Sequence, residues 1–179
     1  MGYLLRVVGS HIMGPSGDQW VPVGEALEYA AQGAALPLSG EYEHSVDEKG
    51  RATLPARLRD ALGDAVYLAR GLDGCLFLYS WDKWQSLCRQ VSGLSLTNHT
   101  ARIFSRMLFS ATRCEVDKAG RILIPLNLRM FAGVTNQLVV VGVEDRVELW
   151  APERWEAAMA VLRNTEDPSL AQGWAALGM

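Results

Sequence analysis

The stretch that decides the fold occurs twice. Glu43-His-Ser-Val-Asp-Glu-Lys-Gly-Arg-Ala-Thr-Leu-Pro-Ala-Arg-Leu-Arg59 aligns with Arg113-Cys-Glu-Val-Asp-Lys-Ala-Gly-Arg-Ile-Leu-Ile-Pro-Leu-Asn-Leu-Arg129 at a constant offset. Val46/Val116, Asp47/Asp117, Gly50/Gly120, Arg51/Arg121, Pro55/Pro125, Leu58/Leu128 and Arg59/Arg129 coincide. After one extra residue in the second copy, Gly71/Gly142, Leu76/Val147, Leu78/Leu149, Tyr79/Trp150 and Trp84/Trp155 also correspond. Agreement this dense marks a tandem duplication of a unit of about 45 residues, with a joining segment of about 25.

Each unit reads as strand, tight turn, strand, short helix and a hairpin. Glu41–Val46 alternates as a half-buried strand does. Asp47 and Gly50 bracket a turn, the carboxylate accepting nearby backbone N–H groups and the glycine supplying positive φ. Arg51–Leu54 returns, Pro55 ends that strand, and a helix is expected over Ala56–Leu62, stopped by Gly63. Val66–Arg70 and Cys75–Tyr79 flank Gly71-Leu-Asp-Gly74 as a hairpin, and Leu138–Val141 and Arg146–Trp150 flank Glu144-Asp145 likewise. Ser80 suits the cap of a following helix in which Trp81, Trp84, Leu87, Cys88 and Val91 recur at helical spacing, as core packing does. A linker helix is expected from His99 to about Ala111, with Ala101, Phe104, Leu108 and Ala111 as its apolar stripe and Arg102, Arg106 and Arg113 on another face.

The 179 residues are 49% hydrophobic and 21% charged, a globular composition with a net charge of −3. That excludes a uniformly basic coat for nucleic acid. The charge is uneven, however: residues 99–143 are net +4 and residues 144–179 net −4. A basic middle masked by an acidic tail fits a local patch for a polyanion as well as ordinary surface scatter. Apolar runs fall far short of the ~20 residues of a membrane helix, so no membrane partner is expected. The three cysteines lack CxxC spacing, which speaks against a disulfide framework or a zinc site and suits a reducing cytoplasm.

An enzyme is not expected. His11, His44 and His99 stand outside any metal-ligand or nucleophile arrangement, and neither a GxxxxGK[ST] loop nor a GxGxxG fingerprint is present. No catalytic residue, cofactor, metal or small-molecule substrate is therefore assigned. The duplicated Asp-x-x-Gly-Arg loop carries the chemistry instead. Lys49 and Arg51 in one copy, and Lys118 and Arg121 in the other, place cations beside a backbone bent by Gly50 or Gly120. An arginine fork pairs with guanine O6/N7 or phosphate, while lysine acts as a point charge. Arg57, Arg102 and Arg106 are weaker candidates. Asp47 and Asp117 are expected to shape the loops, since a carboxylate facing DNA is repelled. Arg59 and Arg129 are expected to pair with carboxylates inside the fold.

The segments GEYEHSVDEKGRATLPARLR, DKAGRILIPLNLR, ARIFSRMLF and VVVGVEDRVELWAPERW closely resemble MraZ proteins, bacterial transcriptional regulators built from two SpoVT/AbrB-type modules. The resemblance covers about Gly40 to Trp155. It implies a β-rich α+β fold, with two tandem swapped-hairpin modules forming a pseudo-dimeric barrel plus linker helices. It also implies a closed-ring homo-oligomer that binds double-stranded DNA. The expected targets are short G-rich direct repeats in the promoter of the division and cell-wall operon, bound as a repressor in the cytoplasm at the nucleoid. The alternative is an antitoxin-like or structural protein-interaction module on the same barrel. The expected division is a disordered extension over 1–39, module 1 over 40–84, a helical linker over 85–110, module 2 over 111–155, and a C-terminal helix with a loose tail over 156–179. A chain starting at Ser39 is expected to fold as the full chain does.

Overall fold

The structure, a computed structural model, describes residues 7–8, 11–13, 20–22, 37–95, 97–163 and 168–176. Three short antiparallel strands come first: β1 (Val7–Val8), β2 (His11–Met13) and β3 (Trp20–Pro22), in the order β1-β2-β3. Most of the stretch expected to be disordered lies outside the described residues. The described strands β1–β3 do not fit that expectation, nor do Leu38 and Ser39, because β4 (Leu38–Ser45) begins there and Leu38 is buried in the core.

The first unit continues through β5 (Arg51–Thr53), α1 (Ala56–Leu62), β6 (Ala65–Arg70) and β7 (Leu76–Ser80). Helices α2 (Trp81–Ser92) and α3 (His99–Phe109) form the link. The second unit repeats the pattern as β8 (Thr112–Glu115), β9 (Arg121–Leu123), α4 (Leu126–Ala132), β10 (Gln137–Glu144) and β11 (Arg146–Trp150). Helix α5 (Pro152–Ala160), a 3₁₀ turn (Val161–Arg163) and α6 (Pro168–Ala176) follow. Local chemistry explains the boundaries. Gly63 and Gly133 stop α1 and α4 at φ 87° and 70°. The Ser80 hydroxyl accepts from the Lys83 N–H, and the Asn98 side chain from the Ala101 N–H, capping α2 and α3.

The units are interleaved. Strands pair antiparallel in a six-stranded sheet of order β4-β10-β11-β7-β6-β8, so the first strand of each unit lies on the hairpin of the other. A separate two-stranded ribbon joins β5 to β9, with Arg51 opposite Leu123, Ala52 opposite Ile122 and Thr53 opposite Arg121. The expected closed barrel is not found among the described residues. Glycine turns and Pro55 or Pro125 limit β5 and β9 to three residues, and among the described residues a single bridge, Val46–Ala52 just past β4, links the ribbon to the large sheet.

Period-two alternation buries the central strands of the six-stranded sheet on both faces, while β4 and β8 at its edges stay largely exposed. Leu76, Leu78, Leu138, Val140, Val147 and Leu149 enter the main core with Leu58, Leu128, Ala52 and Ile122. Cys75, Phe77, Tyr79, Val139, Val141 and Trp150 form a second layer, which Trp84 and Leu87 of α2 and Trp155 and Ala158 of α5 cover. The stripe expected on α3 is narrower than its spacing suggested. Ala101 and Leu108 are buried, but Phe104 is exposed and Ala111 lies beyond the helix. Trp81 of α2 is likewise exposed rather than core, although it sits 5.4 Å from the Tyr67 ring.

Candidate nucleic-acid interface

The two Asp-x-x-Gly-Arg turns have the same internal bonding. Asp47 Oδ1 accepts from the backbone N–H of Lys49 (3.0 Å) and Arg51 (2.9 Å), while Oδ2 receives Arg51 Nε and Nη2, both at 2.8 Å. Asp117 Oδ1 accepts from Ala119 (2.9 Å) and Arg121 (3.0 Å) backbone N–H, and Oδ2 receives Arg121 Nε and Nη2 at 2.9 and 2.8 Å. Each carboxylate thus spends both oxygens inside its own loop. The Arg51 backbone N–H, then its side chain, hold Asp47 below the ordinary carboxylate range; the Arg121 side chain and backbone N–H bring Asp117 down to about 2. The same pairing raises Arg121.

This bonding leaves a usable edge on each arginine. Asp takes the Nε–Nη2 side of the guanidinium, and the Nη1–Nη2 edge still carries two parallel N–H donors. The carboxylate thus aims the fork and removes its freedom to wander without occupying it.

The ribbon brings the forks together. Ala52 and Ile122 point into the core, so Arg51, Thr53, Arg121 and Leu123 share the outer face. Arg51 and Arg121 are diagonal neighbours there, about 7–8 Å apart at the backbone by the geometry of such pairs. Lys49 and Lys118 stand exposed on the two turns. Their positions are not equivalent, because Lys118 occupies the place of Glu48 and Ala119 that of Lys49.

The remaining arginines fall elsewhere. Arg57 lies on α1, directly after the ribbon, and already has an interaction partner. Arg102 donates to the Thr97 carbonyl at 3.1 Å, and with Arg106 it belongs to α3, which packs on α2 and β6. Arg113 does not share their helix face, because α3 ends at Phe109; it sits on β8 and pairs with Glu115 at 2.6 Å.

Arg59 and Arg129 differ from expectation in an informative way. Arg59 does meet a carboxylate, Asp60, at 3.4 Å, but Arg129 Nε donates to the Ile124 carbonyl at 3.1 Å. Both side chains also lie across the glycine of the other unit's loop, Arg59 on Gly120 and Arg129 on Gly50. The repeat alignment flagged this pair, but its partner could not be read from a sequence in which the two units look separate.

Comparison with known proteins agrees with this organisation. The family model for "MraZ protein", with its antitoxin-like designation, matches residues 38–107 and again 107–171. A "Transcriptional regulator MraZ" of Thermomicrobium roseum is 48% identical over 139 residues, 77% of this chain and 97% of the relative. Proteins of that name from Pelotomaculum thermopropionicum and Alkaliphilus metalliredigens are each 50% identical, over 118 and 117 residues, covering 65% of this chain and 81% and 82% of the relatives. With the family unit present twice, this chain belongs to the MraZ family.

Proposed function

We propose that this chain is a transcriptional regulator that binds double-stranded DNA through the β5–β9 ribbon and its two flanking turns. One observation carries the reading: the ribbon places two aspartate-braced arginine forks on one exposed face. The major groove admits a two-stranded ribbon, and a fork held in plane suits guanine O6 and N7. Lys49 and Lys118 reach phosphate, where a point charge is enough. This patch works despite the net negative chain, because only the local face meets DNA. The relatives' name, transcriptional regulator, supports the same reading.

The finer reading is a repressor at the nucleoid that acts on short G-rich direct repeats in the division and cell-wall operon promoter. Several copies of this chain, closed into a ring by interleaved modules of the barrel type, would engage successive repeats at once. Linked sites gain by effective concentration. Footprinting on the DNA immediately upstream of its own gene tests both levels. Protection of repeated G-rich elements is expected, with affinity falling steeply with salt at about −0.9 in slope per neutralised phosphate. Absence of protection, or affinity indifferent to salt, overturns the reading. Equal affinity for one repeat and several overturns the multivalent part alone.

A further inference from the structure

The ribbon's outer face holds two residues that the arginine-based reading does not use, Thr53 and Leu123. Leu123 is 53% exposed on β9, directly opposite Arg51 and two residues along the strand from Arg121. Its outward direction is fixed, because Ile122 beside it is fully buried. The equivalent position in the first unit is Thr53, opposite Arg121, so each arginine faces a methyl-bearing neighbour across the ribbon. Leucine has no hydrogen-bonding group, so a base edge offers it only an apolar feature. In the major groove the one such feature is the thymine C5-methyl group, which cytosine and uracil lack.

Resting on the DNA-binding reading above, we infer that Leu123 is a specificity-determining residue that reads a thymine methyl group beside the base taken by Arg51. The register fixes this adjacency, since the two side chains stand side by side on one face. Thr53 offers a smaller methyl surface tied to a hydroxyl, so the two halves of the ribbon do not read equivalent bases. A sequence preference that is not symmetric about the ribbon follows.

The test uses the full chain and the duplex protected in the footprint, prepared with thymine or with deoxyuridine at every thymine position, titrated by fluorescence anisotropy. The wild type should bind the uracil duplex about fourfold more weakly, the effect of one lost methyl contact. Leu123→Ala should lose most of the preference, Leu123→Met should keep it, and Arg51→Ala should weaken binding to both duplexes. Equal wild-type affinity for the two duplexes overturns the inference, as does a thymine preference undiminished in Leu123→Ala. Arg51-dependent binding without methyl preference removes the role of Leu123 and leaves the DNA reading intact. Binding to neither duplex at low salt removes both.

Discussion

Arg129 lies across Gly50, its Cζ 2.9 Å from the position a Cβ would take there, and Arg59 lies across Gly120, its Cζ 3.4 Å from the corresponding position. Each arginine comes from one unit and each glycine from the other unit's Asp-x-x-Gly-Arg loop. Backbone bonds follow the same crossing: Ile124 N–H donates to the Gly50 carbonyl and Leu54 N–H to the Gly120 carbonyl, both at 2.9 Å. Neither loop is therefore shaped by its own sequence alone.

Gly50 has φ 81°, in the left-handed region where a Cβ is disfavoured. Gly50→Ala should cost about 1–2 kcal/mol of stability from backbone strain, while the displaced Arg129 side chain can swing aside. Chemical denaturation measures this. Unchanged stability would show that the turn tolerates another conformation.

Arg51→Ala and Arg121→Ala should each weaken specific DNA binding by about 1–3 kcal/mol, the worth of a bidentate base contact. Their melting temperatures should stay close to wild type, because both side chains are about one third exposed and their ion pairs form on the surface. Anisotropy titration on the protected duplex decides it. Unchanged affinity in both single variants and the double variant takes these arginines out of the interface.

The loop bonding sets an acid limit. Asp117 titrates at about 2 in the folded protein against an ordinary 3.8, so its folded pKa is depressed. A depressed carboxyl contributes its stabilisation fully above about 3.8 and loses it as pH falls through about 2. The Arg121 Nε–H resonance followed by NMR should therefore hold its position down to pH 4 and shift with a midpoint near 2. A midpoint near 3.8 would contradict the pairing.

Gly142 faces the start of β4 closely. A Cβ there would meet the Ser39 nitrogen at 2.5 Å and the Leu38 carbonyl carbon at 2.9 Å, both backbone atoms. Gly142→Ala cannot be relieved by a rotamer and should lower the melting temperature more than Gly50→Ala. A chain beginning at Pro37 should retain the stability of this strand. One beginning at Ser39 loses the burial of Leu38, about 1.5–3 kcal/mol, contrary to the expectation from the repeat boundary. Thermal melts of the two truncations compare them directly, and equal melting temperatures would show that Leu38 adds nothing.

Burial pushes the Cys75 thiol up to about 12 and the Cys114 thiol up to about 11. Thiolate is the reactive form, so both should resist iodoacetamide at neutral pH in the native protein. Cys88, half-buried on α2 and raised less, should alkylate first. Mass spectrometry of briefly treated protein reads the order, and early labelling of Cys75 would contradict its burial.

The local elements were legible in the sequence because local chemistry sets them. Alternation, the Asp–Gly turn, Pro55 and Gly63 fixed Arg51–Thr53 and Ala56–Leu62 nearly to the residue, and the duplication showed that they recur. The Asp47–Arg51 pairing within the loop was legible for the same reason, since the bonds Asp47 makes to Lys49 and Arg51 span at most four positions. Exposure on α2 and α3 was not, because periodicity names a face but not what covers it, and Trp81 and Phe104 remained outside. Tertiary structure alone decided that β4 pairs with β10 and β8 with β6, that Arg51 and Arg121 share one ribbon, and that Arg59 and Arg129 cross between units. Two units of one pattern can in principle pair within themselves or with each other, and their hydrophobic patterns satisfy both arrangements. The choice is made only when long-range strand pairing closes one shared core around Ala52 and Ile122.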